Sequence, residues 1–182
     1  MPDSWRVVAN PASGETFTFI ETAEETGGLR VVTLIDLAPG GGVSPHSHRA
    51  EEHFECTAGE VSMVLAGQER TISTGEEVTV QPDGMHGLRN RGDVPASVRV
   101  TIAPPGDFER TMRALAGLAR DGRMVPGHPP RVNPFAMAYL ASGDGYYMPP
   151  LPRWLYRPLV GALGAIGRKP GERILAQYDA KP

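Results

Sequence analysis

The stretch PHSHRAEEHFECTAGE, residues 45–60, decides how this chain of 182 residues is interpreted. It contains two histidines two positions apart, His46 and His48, followed by an acid at Glu52 and a glycine at Gly59. Two neighbouring histidines in a polar loop, without further signals, are most often solvated surface residues. If the stretch forms a strand, however, alternate side chains share a face, so both imidazoles and the Glu52 carboxylate point the same way.

The neighbouring residues indicate that this shared face is buried. Phe54 and Cys56 continue the alternation on the same side as the carboxylate. A buried imidazole or carboxylate without a partner costs several kcal/mol, roughly, so a divalent metal ion is the partner we expect. A second segment, GEEVTVQPDGMHGLRN at residues 75–90, supplies a third imidazole at His86 if folding brings it beside the first.

Three imidazoles and one carboxylate form a donor set that suits Fe, Ni, Mn, Cu or Zn. Such a set also leaves coordination positions open for water or substrate, which is typical of a reactive site rather than a purely structural one. Two other histidines, His53 and His128, fall outside the pattern, and we interpret them as surface or interface residues.

The rest of the chain divides into a β-rich part and a helical part. From residue 16 to about residue 102, short runs rich in Val, Ile and Thr alternate with glycine-rich turns, which predicts an all-β sandwich or barrel. One hairpin is expected to turn at residues 66–68. We therefore expect a barrel domain over residues 1–103 and a C-terminal helical extension over residues 104–182.

Start and stop signals predict three pieces of helix in this extension. Asp107 is placed to cap a first helix, and the pair Asn133-Pro134 is typical of the start of a second. A Pro-rich linker at residues 125–131 separates them. The tail is helical in period but interrupted by Pro158 and several glycines, so broken helices are expected there.

Charge is unevenly distributed between the two parts. Residues 1–103 carry 7 Arg against 15 acids, a net charge of -8, whereas residues 104–182 carry 11 Arg and Lys against 6 acids, a net charge of +5. The two parts should attract each other, so the helical extension is expected to pack on the barrel or on a dimer partner. Its aromatic residues could cover the barrel mouth as a lid, or pack outside it.

Two motifs resemble those of the cupin superfamily of small metal-binding barrels. The first runs from Gly40 through the three candidate ligands to Gly59, and the second contains Gly75, Pro82, His86 and Asn90. The resemblance covers roughly residues 29–103 and implies a mainly β cupin jelly-roll β-barrel. It also implies that the metal ligands are His46, His48, Glu52 and His86. The loop PDGMH is one residue shorter than the usual pattern.

The resemblance also implies a range of activities. We expect a metal-dependent oxidoreductase of dioxygenase type that acts on a small oxygenated organic molecule, with Glu52 both as a ligand and as a catalytic base. A non-catalytic or regulatory small-molecule-binding protein and a metal-dependent isomerase remain alternatives. By strand alternation the pocket is lined by Phe54, Cys56, Met63 and Leu88, although Cys56 also suits a core position.

Composition argues against several other classes of protein. A formal charge of -3 and a pI near 6.0, without a basic cluster, argue against a nucleic-acid partner. The apolar run at residues 158–167 is about half the roughly 20 residues that span a bilayer, so membrane association is not expected. A single cysteine and the lack of a secretory signal favour the cytoplasm. A homodimer is the assembly we expect.

Overall fold

The computed structural model describes residues 3–125 and 131–179. Within them, ten strands are followed by three helices. The strands are β1 (Val7–Asn10), β2 (Glu15–Glu21), β3 (Val31–Leu37), β4 (Gly42–His46), β5 (Glu51–Ala58), β6 (Glu60–Leu65), β7 (Gln68–Ser73), β8 (Glu77–Val80), β9 (His86–Arg89) and β10 (Ala96–Ala103). The helices are α1 (Phe108–Arg120), α2 (Pro134–Gly143) and α3 (Arg153–Tyr178).

The strands form two antiparallel sheets. The larger sheet has the order β1-β2-β3-β10-β5-β8, and the smaller has the order β4-β9-β6-β7. Inward-facing side chains of both sheets form one core, because apolar residues alternate with polar ones along strands such as β5 and β10. The predicted jelly-roll β fold with C-terminal helices is confirmed.

The hairpin expected at residues 66–68 joins β6 to β7. Leu65 pairs with Gln68, so the turn itself consists of two residues, Ala66 and Gly67. Both have positive φ angles, 49° and 83°. This is the backbone of a two-residue turn that matches the twist of the strands it joins.

The first two helices begin where the sequence predicts, with one difference in their caps. At α2 the Asn133 side chain accepts a hydrogen bond from the backbone N–H of Phe135, and Pro134 follows in the first turn. At α1 the capping position is Asp107, but its side chain makes no capping hydrogen bond and instead pairs with Arg110. The predicted linker lies largely within residues 126–130, outside the described residues, as does His128.

The expectation of broken helices in the tail is wrong, because α3 runs unbroken from Arg153 to Tyr178 through both of its prolines. Three of its glycines, Gly164, Gly167 and Gly171, lie close to neighbouring residues instead of interrupting the helix. A Cβ atom added at Gly167 would lie 1.8 Å from the carbonyl oxygen of Phe135, and one added at Gly171 would lie 2.3 Å from the Tyr139 ring. The glycine face therefore lets α3 pack directly against the backbone of α2, and this packing holds the helix together.

The helical extension packs on the barrel through specific polar contacts. Arg113 of α1 forms a buried ion pair with Glu109 and donates a hydrogen bond to the backbone oxygen of Trp5. Arg157 of α3 forms an ion pair with Asp83, which lies in the loop before β9. In the described part of the chain, no helix is long and apolar enough to cross a membrane. The division into two domains at residues 103 and 104 stays a prediction.

Candidate metal centre

The four candidate ligands come from the ends of three strands and one loop. His46 is the last residue of β4, Glu52 is the second residue of β5 and His86 is the first residue of β9, while His48 lies in the loop between β4 and β5. The single strand assumed across residues 45–60 is therefore wrong. The chain instead crosses from the smaller sheet to the larger one within this stretch, and the ligands converge because both sheets face the same interior.

The side chains meet in a small volume. One ring nitrogen each of His46, His48 and His86 lies within 4.8 Å of the others. Glu52 joins them, since its Oε2 lies 2.8 Å from Nε2 of His86 and its Oε1 lies 3.3 Å from Nε2 of His48. All four residues are buried, at 8% exposure or less.

Backbone contacts orient two of the three imidazoles. Nδ1 of His46 lies 2.9 Å from the carbonyl oxygen of Ser44, and Nδ1 of His86 lies 2.9 Å from the carbonyl oxygen of Gly84. A carbonyl only accepts, so each Nδ1 carries the hydrogen and the neutral ring presents an unprotonated Nε2. Fixing the ring through its other nitrogen is the usual support for a metal-ligating histidine.

The surroundings of His86 Nε2 indicate what the cluster can bind. It is buried and has no hydrogen-bond partner of acceptable geometry among the described residues, although the Glu52 carboxylate is close by. With Nδ1 donating to a carbonyl, a neutral His86 turns a lone pair towards a carboxylate oxygen. Either a proton or a cation must lie there, so the donor set fits a bound metal ion.

Burial and the neighbouring ionisable side chains determine the pKa values of the metal-free cluster. Burial, together with the nearby His86, lowers the pKa of His46 to about 4. Burial opposes ionisation of Glu52, but the adjacent His48 and His86 imidazoles outweigh it and lower the pKa of that carboxyl to about 2. Burial also opposes the charge on His86, yet the Glu52 carboxylate raises its pKa above the ordinary value. The ionised Glu52 carboxylate thus favours a positive charge beside it, either a proton on His86 or a metal cation.

The cluster lies in the wall of a cavity of about 580 Å³ between the sheets and the helices. Phe54 and Leu88 line this cavity as expected from the sequence, but Cys56 and Met63 do not. Cys56 is four residues beyond Glu52 along β5, roughly 13 Å away, and its thiol faces the carbonyl oxygens of Ala58 and Gly59. Cys56 and Met63 are both core residues with at most 1% exposure.

Among the polar residues of this cavity, sequence reasoning missed Glu15 and did not single out Tyr146 from the other aromatic residues of the tail. The ring of Tyr146 stacks on His46 with centroids 4.6 Å apart and an angle of 15° between the planes. The next residue, Tyr147, exchanges two backbone hydrogen bonds with Ser47 and so fixes this segment over the cluster. The tail aromatics were expected to be a lid or an outer layer, and Tyr146 takes the first role.

Comparison with known protein families identifies the part of the chain that carries the centre. Residues 33–103 match the Cupin_2 family, described as the cupin domain. This segment is a cupin domain. It contains all four clustered residues, whereas the helical extension lies beyond the match. The predicted resemblance is thereby confirmed, and the chain carries a candidate three-histidine metal site within a cupin domain.

Solved structures similar to the chain cover about half of it. One is a sugar phosphate isomerase of the cupin superfamily from Silicibacter pomeroyi, 24% identical, covering 50% of this chain and 60% of that one, with a TM-score of 0.46. Another is the polyketide cyclase RemF from Streptomyces resistomycificus. It is 20% identical and covers 53% of this chain and 70% of that one, with a TM-score of 0.48. A third is a recombinant oxalate oxidase in complex with glycolate. It is 27% identical and covers 52% of this chain and 53% of that one, with a TM-score of 0.44. No curated protein matches the chain.

Two features of the cupin domain explain its motifs. Gly40, Gly59 and Gly75 all have positive φ angles, as turns flanking the strands require. The short PDGMH loop is closed by a hydrogen bond from the Asp83 N–H to the carbonyl oxygen of His48, which ties the second motif to the first. His53 points outward and contacts Glu77 and Thr79, so it is not part of the centre.

Proposed function

We propose that this chain is a metal-dependent oxidoreductase of dioxygenase type that acts on a small oxygenated organic molecule. The observation that carries the proposal is the position of the cluster. Three buried imidazoles and a carboxylate lie together in the wall of a cavity that is large enough for a small organic molecule and has mostly apolar walls.

In this proposal His46, His48 and His86 hold the metal ion through Nε2, and Glu52 completes the set. When bound, a redox-active ion such as Fe(II) supplies coordination for substrate oxygen atoms and electron transfer to dioxygen. The reaction inserts both atoms of one O₂ into one organic molecule, so that no external reductant is required.

Glu52 also provides a base in this scheme. Its carboxyl is ionised in the metal-free protein because the neighbouring imidazoles lower its pKa to about 2. The low pKa keeps Glu52 ionised but makes it a weak base, so it would accept the proton of an enolic hydroxyl group only through an oxygen that is not bound to the metal. The ring of Tyr146, stacked on His46, covers the centre and helps to exclude water from it.

The isomerase alternative has less support from the cavity. Among the described residues that line it, Arg49 is the only arginine or lysine. A sugar phosphate requires several donors and cations for its phosphate and hydroxyl groups, and these walls are mainly apolar. A binding protein without turnover would use the same cavity, and the assays below distinguish it from an enzyme.

Metal content tests the first half of the proposal. After supplementation with Fe, Mn, Ni, Cu and Zn in turn, the wild-type protein should retain about one ion per chain in elemental analysis. His46→Ala and His86→Ala should each lose most of it. The matched control is His53→Ala, since it removes an imidazole one residue from Glu52 that points outward. Retention of metal by all three variants would contradict the assignment.

Oxygen uptake tests the second half. Metal-loaded protein is mixed with catechols, flavonols and 1,3-diketones, and oxygen consumption is compared with that of the metal-free protein. We expect a metal-dependent rate with at least one class, which Glu52→Gln reduces at least tenfold. Tight binding of these compounds without oxygen uptake would favour the non-catalytic binding protein. The homodimer stays a prediction that sedimentation velocity can test.

A further inference from the structure

A second carboxyl group, that of Glu15, faces the same cavity as the metal centre. Glu15 is the first residue of β2, whose buried positions alternate as Glu15, Phe17 and Phe19. Its side chain therefore points inward with the two phenylalanines, and it is only 8% exposed. Both Glu15 and Phe17 line the cavity that contains Glu52.

The structure gives this carboxyl little to interact with. Burial raises its pKa, and the Ser13 hydroxyl offsets this only in part; no cationic side chain within residues 3–125 and 131–179 lowers it further. Ser13 Oγ is itself buried without a hydrogen-bond partner of acceptable geometry among the described residues. A carboxyl group in such surroundings costs the fold stability, whereas an apolar side chain of the same size would not.

The segment that contains Glu15 adjoins strand β4, which leads to the metal centre. The N–H of Gly42, the first residue of β4, donates a hydrogen bond to the carbonyl oxygen of Ser13, and the strand finishes at His46. Gly42 and His46 are four residue steps, roughly 13 Å, apart along the strand. The walls of the shared cavity are mainly apolar, with Ile35, Leu88 and Met112 among the lining residues.

We propose that Glu15 is a specificity-determining residue, which accepts a hydrogen bond from a hydroxyl or amino group at the far end of a ligand held by the metal. The inference rests on the proposed function and narrows its substrate class. The ligand has metal-chelating oxygen atoms, a hydrogen-bond donor away from them and an apolar body that joins the two.

A pair of probes tests the proposal without turnover. Binding of 1-phenylbutane-1,3-dione and of its 4-hydroxyphenyl analogue to the metal-loaded protein is measured by calorimetry in the absence of oxygen. The hydroxyl group should improve affinity roughly tenfold in the wild type, the size expected for a hydrogen bond to a carboxylate. Glu15→Met should abolish this advantage, and Glu15→Gln, which still accepts a hydrogen bond, should retain part of it.

Controls separate this proposal from the fold and from the metal site. Glu55→Gln, on the outward face of β5, should leave the advantage of the hydroxyl probe unchanged. Glu15→Met should unfold at the same or a higher temperature than the wild type and should keep its metal, because it replaces a buried carboxyl with an apolar side chain of similar size. The role of Glu15 is overturned if the wild type binds the two probes equally well or binds neither. Metal content is measured separately and tests the metal centre itself.

Discussion

The contact between α2 and α3 gives the sharpest test of how the helical extension is held. Gly167→Ala places a methyl group 1.8 Å from the carbonyl oxygen of Phe135, about 1.6 Å closer than the 3.4 Å at which ordinary contacts begin. The obstacle is backbone, so the two helices must move apart. Overpacking of this kind costs about 1–3 kcal/mol or more, and the better helix propensity of alanine returns only about 1 kcal/mol.

The matched control is Gly161→Ala in the same helix. Gly161 is exposed, and an added Cβ atom would meet nothing within 4 Å. Only helix propensity then acts, which should stabilise the protein by about 1 kcal/mol and raise its melting temperature by about 2–4 °C. Thermal unfolding followed by circular dichroism should thus show shifts of opposite sign. If Gly167→Ala stabilises the protein as much as Gly161→Ala does, the close helix packing described here is wrong.

Three further predictions concern the barrel. Burial lowers the pKa of His46 from 6.5 to about 4, so the unfolded chain binds this proton first as the pH falls. The metal-free protein should therefore lose about 3 kcal/mol between pH 6.5 and 4 on account of this residue, and urea unfolding of His46→Gln should depend less on pH. Asn90→Ala removes donors to the carbonyl oxygens of Leu37 and Val94 and should lower the urea unfolding free energy by about 2–3 kcal/mol. The Cys56 thiol, buried and with a raised pKa, should react with a thiol reagent only as fast as the protein unfolds, and faster labelling would show that β5 opens locally.

The four residues of the centre could be predicted because their spacing reflects local constraints. Glu52 and Phe54 alternate along one strand, so their common inward direction follows from the pleat alone. His46 and His48 were placed beside Glu52 for a reason that proved wrong, since the chain changes sheets between them and Glu52. The prediction succeeded because inward directions of two facing sheets meet in the same interior.

Other residues of the site depend on contacts that no local pattern contains. Tyr146 reaches His46 because a bridge between Ser47 and Tyr147 joins segments one hundred residues apart. Glu15 is different, since the alternation of ETFTFIE places it with Phe17 and Phe19 and could have identified it. An acid on an otherwise apolar inward face was a usable signal. What the alternation could not indicate is that β2 extends to the same cavity as β5.

The boundary of the family match has a consequence for specificity. The match ends at residue 103, yet the cavity continues beyond it, with Met112, Met137 and Tyr146 of the helical extension among its lining residues. The four candidate ligands lie on strand ends and an adjoining loop that the two sheets hold in place. The cavity walls formed by the extension lie on helices and their connections, and the position of these helices depends on the glycine face of α3. Two proteins with the same four ligands can therefore differ in substrate through the extension alone. In the proposed function the metal centre would therefore set the kind of chemistry, and the helices, together with Glu15, would select the molecule that undergoes it.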